Sequence, residues 1–499
     1  MAPADRVLEL GGSETLTPRR LVEAARQSHT VRLHPDALGR IEAAHRTVVR
    51  QAAGGAAIYG VSTGLGAVVD TAIAFDDAGL QRRVIRARAV GVGAEATDVE
   101  VRAVMIARLA GFACGVSGAS AATVRAYAAM LAAGIYPVMP LRGSLGEADL
   151  APLAHVALVL IGEGSARIGA QAMPGAEALR RAGLQPAALG PKDGLALVSS
   201  NAVSVALGAL ALDAARTALS RLTASAALAF EAQLANLSPL RADAVALRPT
   251  PGTARIAGEI RQLLEGGDLA AAAAGRRLHD PLSFRCVAPV LGALLHAIDL
   301  ADAAVALALR TPDDNPAVLP GADAIVGTAG FDTTHLVLAF EMLGQAMARA
   351  ASLAGARILQ LMSAGTTGLP RFLAPDQDGS SGLAPLQKTV AALVADIAHR
   401  SQPMPATILP VADGMEDYAT MAVPVVRKTA SIGGMLGLLA AAEMITAAQA
   451  IDLRPGHRLG LGTARHHAAI RRLVPALAED RSLAHELQEL HRALGSADL

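Results

Sequence analysis

Five long runs rich in Ala, Leu, Met and Gln constrain the fold of this 499-residue chain more than any other feature: residues 201–236, 289–310, 332–362, 384–401 and 423–453. Polar residues recur in them every three to four positions and β-branched runs are few, which is the pattern of helices rather than strands. Uncapped helices beyond about 25 residues that are apolar on more than one side belong in the middle of a bundle, where alanines let the axes approach closely. A composition that is 52% hydrophobic and 18% charged supplies the large core such a bundle needs. Much of that apolar surface is expected to meet other subunits.

The first 200 residues read differently, as shorter helices broken by Gly54-Gly55, the stretch 60–66, residues 91–93 and the segment Pro137 to Gly146. The chain is therefore divided into a loop-rich part, 1–200, and a long-helix part, 201–499. Loops on a rigid helical scaffold are where binding groups usually sit. Chemistry is expected in those loops and in the later breaks at 279–289, 312–331, 363–383 and 403–418.

Several function classes are disfavoured at once. The 44 basic residues balance 44 acidic ones, and aromatic residues make up 2% with no Trp, so neither a phosphate-binding face nor a base-stacking platform is expected and nucleic acid is not a partner. Cys114 and Cys286 stand far apart without ligand spacing. They predict no disulfide framework, no metal site and a reducing, cytoplasmic setting. A mean hydropathy of +0.39 raises the question of membrane spans. The most apolar stretch, Ile432 to Ile451, carries Gly433, Gly434, Glu443 and Gln449, and is expected to be buried in protein rather than lipid. Asp5, Arg6 and Glu9 give the N-terminus no apolar region of the secretory type.

Three strings carry chemistry: Tyr59-Gly-Val-Ser-Thr-Gly-Leu-Gly66, Gly143-Ser-Leu-Gly-Glu-Ala-Asp-Leu-Ala-Pro-Leu-Ala154 and Asp280-Pro-Leu-Ser-Phe-Arg285. With Lys192-Asp-Gly-Leu-Ala-Leu197, Asp314-Asn-Pro316, Glu416-Asp417 and Ala447-Ala-Gln-Ala-Ile-Asp-Leu-Arg454 they form seven collinear blocks. Together these resemble the histidine and aromatic amino-acid ammonia-lyase family over nearly the whole chain. The resemblance implies a mainly α fold built on a long central antiparallel helical bundle of the fumarase/aspartase-like type, with a loop-rich N-terminal part. It also implies a homotetramer whose active sites are assembled from loops of several subunits.

The family makes its own electrophile, a methylidene-imidazolone, by cyclising an internal Ala-Ser-Gly within the pattern Gly-Ser-x-Gly-Ala-Ser-Gly-Asp-Leu. Here that pattern fails. Between Gly146 and Asp149 stand only Glu147 and Ala148, one residue too few, with neither the serine that dehydrates nor the glycine that closes the ring. Ser144 matches the family's other serine, upstream of the tripeptide. No such cofactor is expected.

Other family positions survive. The resemblance makes Tyr59 the catalytic base, Arg285 the anchor of the substrate carboxylate, Phe331 a pocket residue and Glu416 the contact to an imidazole ring. Departures surround them: Arg88 replaces a His of histidine lyases, Ser199 a substrate-side Asn, His279 a Gln, Leu282 a second Tyr, and Lys388, after Gln387, stands at a normally apolar position. Independent chemistry agrees with the roles. A tyrosine is a base near neutrality only if nearby cations or helix N-termini lower its ordinary value of about 10, and Arg88 or Lys388 offers such charge. Arginine is the planar, two-pronged partner of a carboxylate.

A member without the electrophile needs a substrate that eliminates more easily. A quaternary ammonium qualifies, because trimethylamine leaves as a neutral molecule. The expected substrate is a small betaine, with Glu416 favouring an imidazole and the extra cations favouring a ring sulfur, as in ergothioneine. The chain is thus similar to the cofactor-less ergothionase branch of the family, which expels trimethylamine to give thiourocanate. The alternatives are hercynine or another activated aromatic amino acid as substrate, or a non-catalytic ligand-binding paralogue.

Overall fold

The computed structural model describes residues 7–74, 78–271, 275–375, 379–405 and 409–493. Asp5 and Arg6, and parts of the breaks at 363–383 and 403–418, lie outside them. The protein is mainly helical, as its long apolar runs require. Helices Ala202–Gln233, Val287–Arg310, Thr334–Leu361, Leu386–Arg400 and Ala422–Asp452 occupy the five runs read from the sequence.

By compactness the chain divides into two units that are each discontinuous in sequence. One comprises Met1–Leu210, Asp302–Leu338 and Met404–Arg427; the other comprises Ala211–Ala301, Ala339–Pro403 and Lys428–Leu499. The division read at 200/201 is linear, whereas the units are not: the break at 312–331 and residues 404–418 group with the N-terminal part.

In the first unit, helix Asp98–Ala113 opens with a Thr97–Glu100 capping box and is buried along most of its length. Helices Pro18–Arg26, Pro35–Ala53 and Ala121–Ala132 pack against it. Short strands of three or four residues pair around this core, including Val7–Leu10 parallel to Thr30–Leu33 and the antiparallel order Ile135–Pro137, Ser165–Ile168, Gln171–Pro174. A cluster of Ala44, Val48, Ala52, Ile58, Val61 and Val318 anchors the chain on either side of Tyr59.

In the second unit, one buried ion pair ties three long helices. Arg357 on Thr334–Leu361 meets Glu443 on Ala422–Asp452, with Nη2 to Oε2 at 2.9 Å, and Ser225 on Ala202–Gln233 donates to the same carboxylate at 2.5 Å. Gln449 is satisfied by both backbone groups of Leu477, at 3.1 and 2.9 Å. The polar residues of the most apolar stretch therefore have protein partners, as buried polar groups must.

Candidate active site

The sequence places Tyr59 between two anchors. Ile58 and Val61 are buried in the apolar cluster, so the tyrosine between them turns the other way, half-buried. Gly60 has a φ of +70°, and a Cβ there would stand 2.7 Å from a Leu195 methyl and 2.8 Å from one of Leu65, so the turn demands glycine. Gln81 clamps it, donating to Gly60 O at 3.1 Å while accepting from Gly194 N at 2.8 Å. The Gly66 N–H donates to Tyr59 Oη at 2.9 Å. This bond fixes the ring and aims a donor where negative charge on the phenol oxygen would sit.

Tyr59, Arg88, Ser199, Phe331 and Glu416, five of the eight site residues read from the sequence, line one cavity of about 290 Å³ within the first unit. Glu147, Ala148, Leu195, Asn315 and Met415 also line it. Arg88 ends helix Ala78–Arg88, where a cation complements the helix dipole. Burial lowers the pKa of its guanidinium, while Tyr59 and Glu416 act in the opposite direction. Charge of both signs therefore faces one small space. Glu416 closes a tight turn, bridging to Val411 across Asp413 and Gly414, both at positive φ.

Arg285, His279 and Lys388 are not among the residues lining this cavity; all three belong to the second unit and are exposed. Arg285 ends the short helix Leu282–Arg285 and borders a different cavity with Arg248, His296 and Met342. Leu282, where the family has a second tyrosine, is 63% exposed.

The loop that fails the family pattern is held from several sides. Asp149 accepts from Ser144 Oγ at 2.7 Å and from Ser204 N at 2.8 Å. Gly146, at φ +89°, runs so close to Thr420 and Ala422 that a Cβ would fall 2.3 Å from Thr420 Oγ1. Its carbonyl accepts from Thr333 and Thr420 at 2.7 and 3.1 Å. Ala148, itself at φ +64°, donates its N–H to Asn201 Oδ1 at 3.0 Å, and Asn201 Nδ2 donates to Phe331 O at 2.8 Å. Asn201 N donates in turn to Asp313, beside the fully buried Arg108–Asp314 pair. Burial and Asp314 push Asp313 up to about 6.

Glu147 was missed as a site residue by sequence reading, which recorded only the serine it lacks. Its Oε1 is buried and has no hydrogen-bond partner among the described residues. Burial and the neighbouring Asp332 push its carboxyl up to about 7, against hydrogen bonding from Thr420. Asn315 was also missed as a lining residue, although its Asp-Asn-Pro string was singled out.

The chain matches the aromatic amino acid lyase family over residues 16–472. It is 36% identical to a histidine ammonia-lyase of Anaeromyxobacter dehalogenans, covering 97% of this chain and 98% of that one. It is 38% identical to the histidine ammonia-lyase of Sorangium cellulosum, over 93% and 92%. Among solved structures it is similar to the ergothionase of Treponema denticola, crystallised in complex with desmethyl-ergothioneine sulfonic acid: TM-score 0.94, 30% identity, 99% of this chain and 100% of that one. A phenylalanine aminomutase of Pantoea agglomerans follows at TM-score 0.93 and 26% identity, over 98% and 99%. The family match, the relatives above 30% identity over almost the full length and the shared helical fold agree: this chain belongs to the aromatic amino acid lyase family, whose histidine ammonia-lyases are carbon–nitrogen lyases.

Proposed function

We propose that the protein eliminates trimethylamine from ergothioneine to give thiourocanate, without the family's self-made electrophile. The observation that carries this reading is the loop at 143–149. Neither Glu147 nor Ala148 has a hydroxyl to lose, and Ser144 Oγ is committed to Asp149 at 2.7 Å. The residues present do not fit a serine-derived imidazolone, so no step runs through one. The likeness to the Treponema ergothionase supports the same assignment.

In this mechanism Tyr59 removes a proton from the β-carbon. The freed electron pair forms the Cα–Cβ double bond and the C–N bond breaks toward nitrogen, which leaves as neutral trimethylamine. Glu416 accepts from the imidazole N–H and holds the ring while charge passes into it. Arg88, sharing the cavity with Tyr59 and Glu416, supplies positive potential to the developing negative charge. Ser199 and Phe331 shape the pocket. Arg285 is the proposed anchor of the substrate carboxylate, Lys388 the proposed partner of the ring sulfur and His279 a further substrate contact; these exposed side chains take up their roles on assembly into the homotetramer.

The sequence relatives are histidine ammonia-lyases, which favours histidine deamination as the second reading. Incubating pure protein separately with ergothioneine, hercynine and histidine, and assaying trimethylamine and ammonia, decides between them. Trimethylamine from ergothioneine and no ammonia from histidine is expected. Ammonia from histidine would overturn the reading, and inertness toward every betaine together with tight ligand binding would point to a non-catalytic paralogue.

A further inference from the structure

We propose that Glu147 recognises the cationic nitrogen of the substrate, its carboxylate forming an anionic subsite in the cavity that also holds Tyr59. The inference rests on the elimination reading above and adds a specificity residue to it. A buried carboxylate oxygen without a donor is costly, because it forfeits water without replacing it. Glu147 lines the cavity that also holds Tyr59, Arg88 and Glu416, so a carboxylate with one oxygen lacking a partner among the described residues stands beside the proposed base.

The chemistry of the missing partner is constrained by what surrounds it. Among the described residues, the charged groups acting most strongly on Glu147 are Asp332 and Asp149, both acidic, and Thr420 hydrogen-bonds to it. Arg88 interacts instead with Tyr59 and Glu416. Within this chain's described residues, the charged groups that act most strongly on Glu147 are thus all acidic. A quaternary ammonium suits it: the group is cationic, has no N–H to direct, and sheds little water on burial, so a Coulombic contact with one carboxylate is sufficient. An anionic or neutral substituent would be repelled or unrewarded there.

The loop is built to keep the side chain in place. The backbone on either side is fixed by the Gly146 carbonyl and the Ala148 N–H bonds, and the carboxyl is drawn up to about 7 in the free protein. At neutral pH the free site thus exists in both forms, and a bound cation selects the ionised one.

The effect on rate has a definite sign. As the C–N bond breaks, the positive charge on nitrogen disappears, so Glu147 pairs with the ground state more than with the transition state. Its loss should therefore raise KM and raise kcat rather than lower it. The test compares the wild type with Glu147→Gln, an isosteric change, and Glu147→Asp, which keeps the charge. Glu147→Gln is expected to raise KM for ergothioneine about 10-fold at pH 8 with kcat raised rather than lowered, and Glu147→Asp to bring KM part of the way back. In the wild type KM should fall as pH rises through about 7, and this dependence should vanish in Glu147→Gln, with Asp332, Asp149, Arg88 and Glu416 still present. Binding of tetramethylammonium, followed by calorimetry, gives a readout independent of turnover and should weaken about 10-fold in Glu147→Gln. Unchanged KM and unchanged tetramethylammonium affinity in that variant would overturn the inference while leaving the elimination reading intact. Weakened tetramethylammonium binding without trimethylamine release from ergothioneine would sustain the cation subsite and sink the reaction.

Discussion

Tyr59 and Glu147 face the same cavity and make opposite demands on a proton. Tyr59 must take one from carbon, and its oxygen is held by the Gly66 N–H in a turn that only glycine at 60 permits. Tyr59→Phe removes that oxygen and leaves the ring, so turnover of ergothioneine should fall by roughly 100-fold or more. A loss below a few-fold in steady-state kinetics would remove Tyr59 from the role of base. Glu147 instead holds a proton longer than an ordinary carboxyl, up to about 7 against 4.5. Since the folded state binds that proton more tightly than the unfolded chain, the stability it contributes is present below about 4.5 and is lost as pH rises through about 7. Thermal melts should therefore show Glu147→Gln gaining on the wild type as pH rises across this window, with the two converging in acid. Asp313, raised to about 6 in the same direction, remains in both proteins and cancels in the comparison.

At the scale of elements, the long helices hold together through few polar contacts, each of which matters. The Arg357–Glu443 pair is wholly buried, and Ser225 and the Ser283 carbonyl complete it. Arg357→Met strands the Glu443 carboxylate and should cost about 3–5 kcal/mol in denaturant unfolding, much of it recovered in a double variant with Glu443→Leu. A single-variant cost under about 1 kcal/mol would show that the pair does not tie the helices. These helices were legible in the sequence because alanine-rich runs of that length admit little else; the run read at 289–310, for example, is helix Val287–Arg310. The strands were not, since three residues such as Ile135–Pro137 are too few to display a period of two. Five of eight site residues share a cavity because their motifs are loops that group in one unit. Glu147 was illegible as a site residue for a physical reason: its string shows a missing hydroxyl, whereas its raised pKa comes from burial and from Asp332, far away in sequence.

For the whole molecule, the single chain leaves apolar helix surface uncovered. The most apolar windows of Val287–Arg310 and Thr334–Leu361 are only 50% and 44% buried, and Leu338 is 65% exposed. Surface of that kind marks an interface. Sedimentation equilibrium should give the mass of four chains, and a stable monomer at micromolar concentration would contradict both the assembly and the roles given to Arg285, Lys388 and His279. The proposed reaction proceeds without a self-made electrophile, and that is what selects a substrate with a ready leaving group. Intact-mass spectrometry of the purified protein tests this most directly: the account predicts the mass of the unmodified 499-residue chain, and a deficit equal to two water molecules, mapped to residues 143–149, would contradict it.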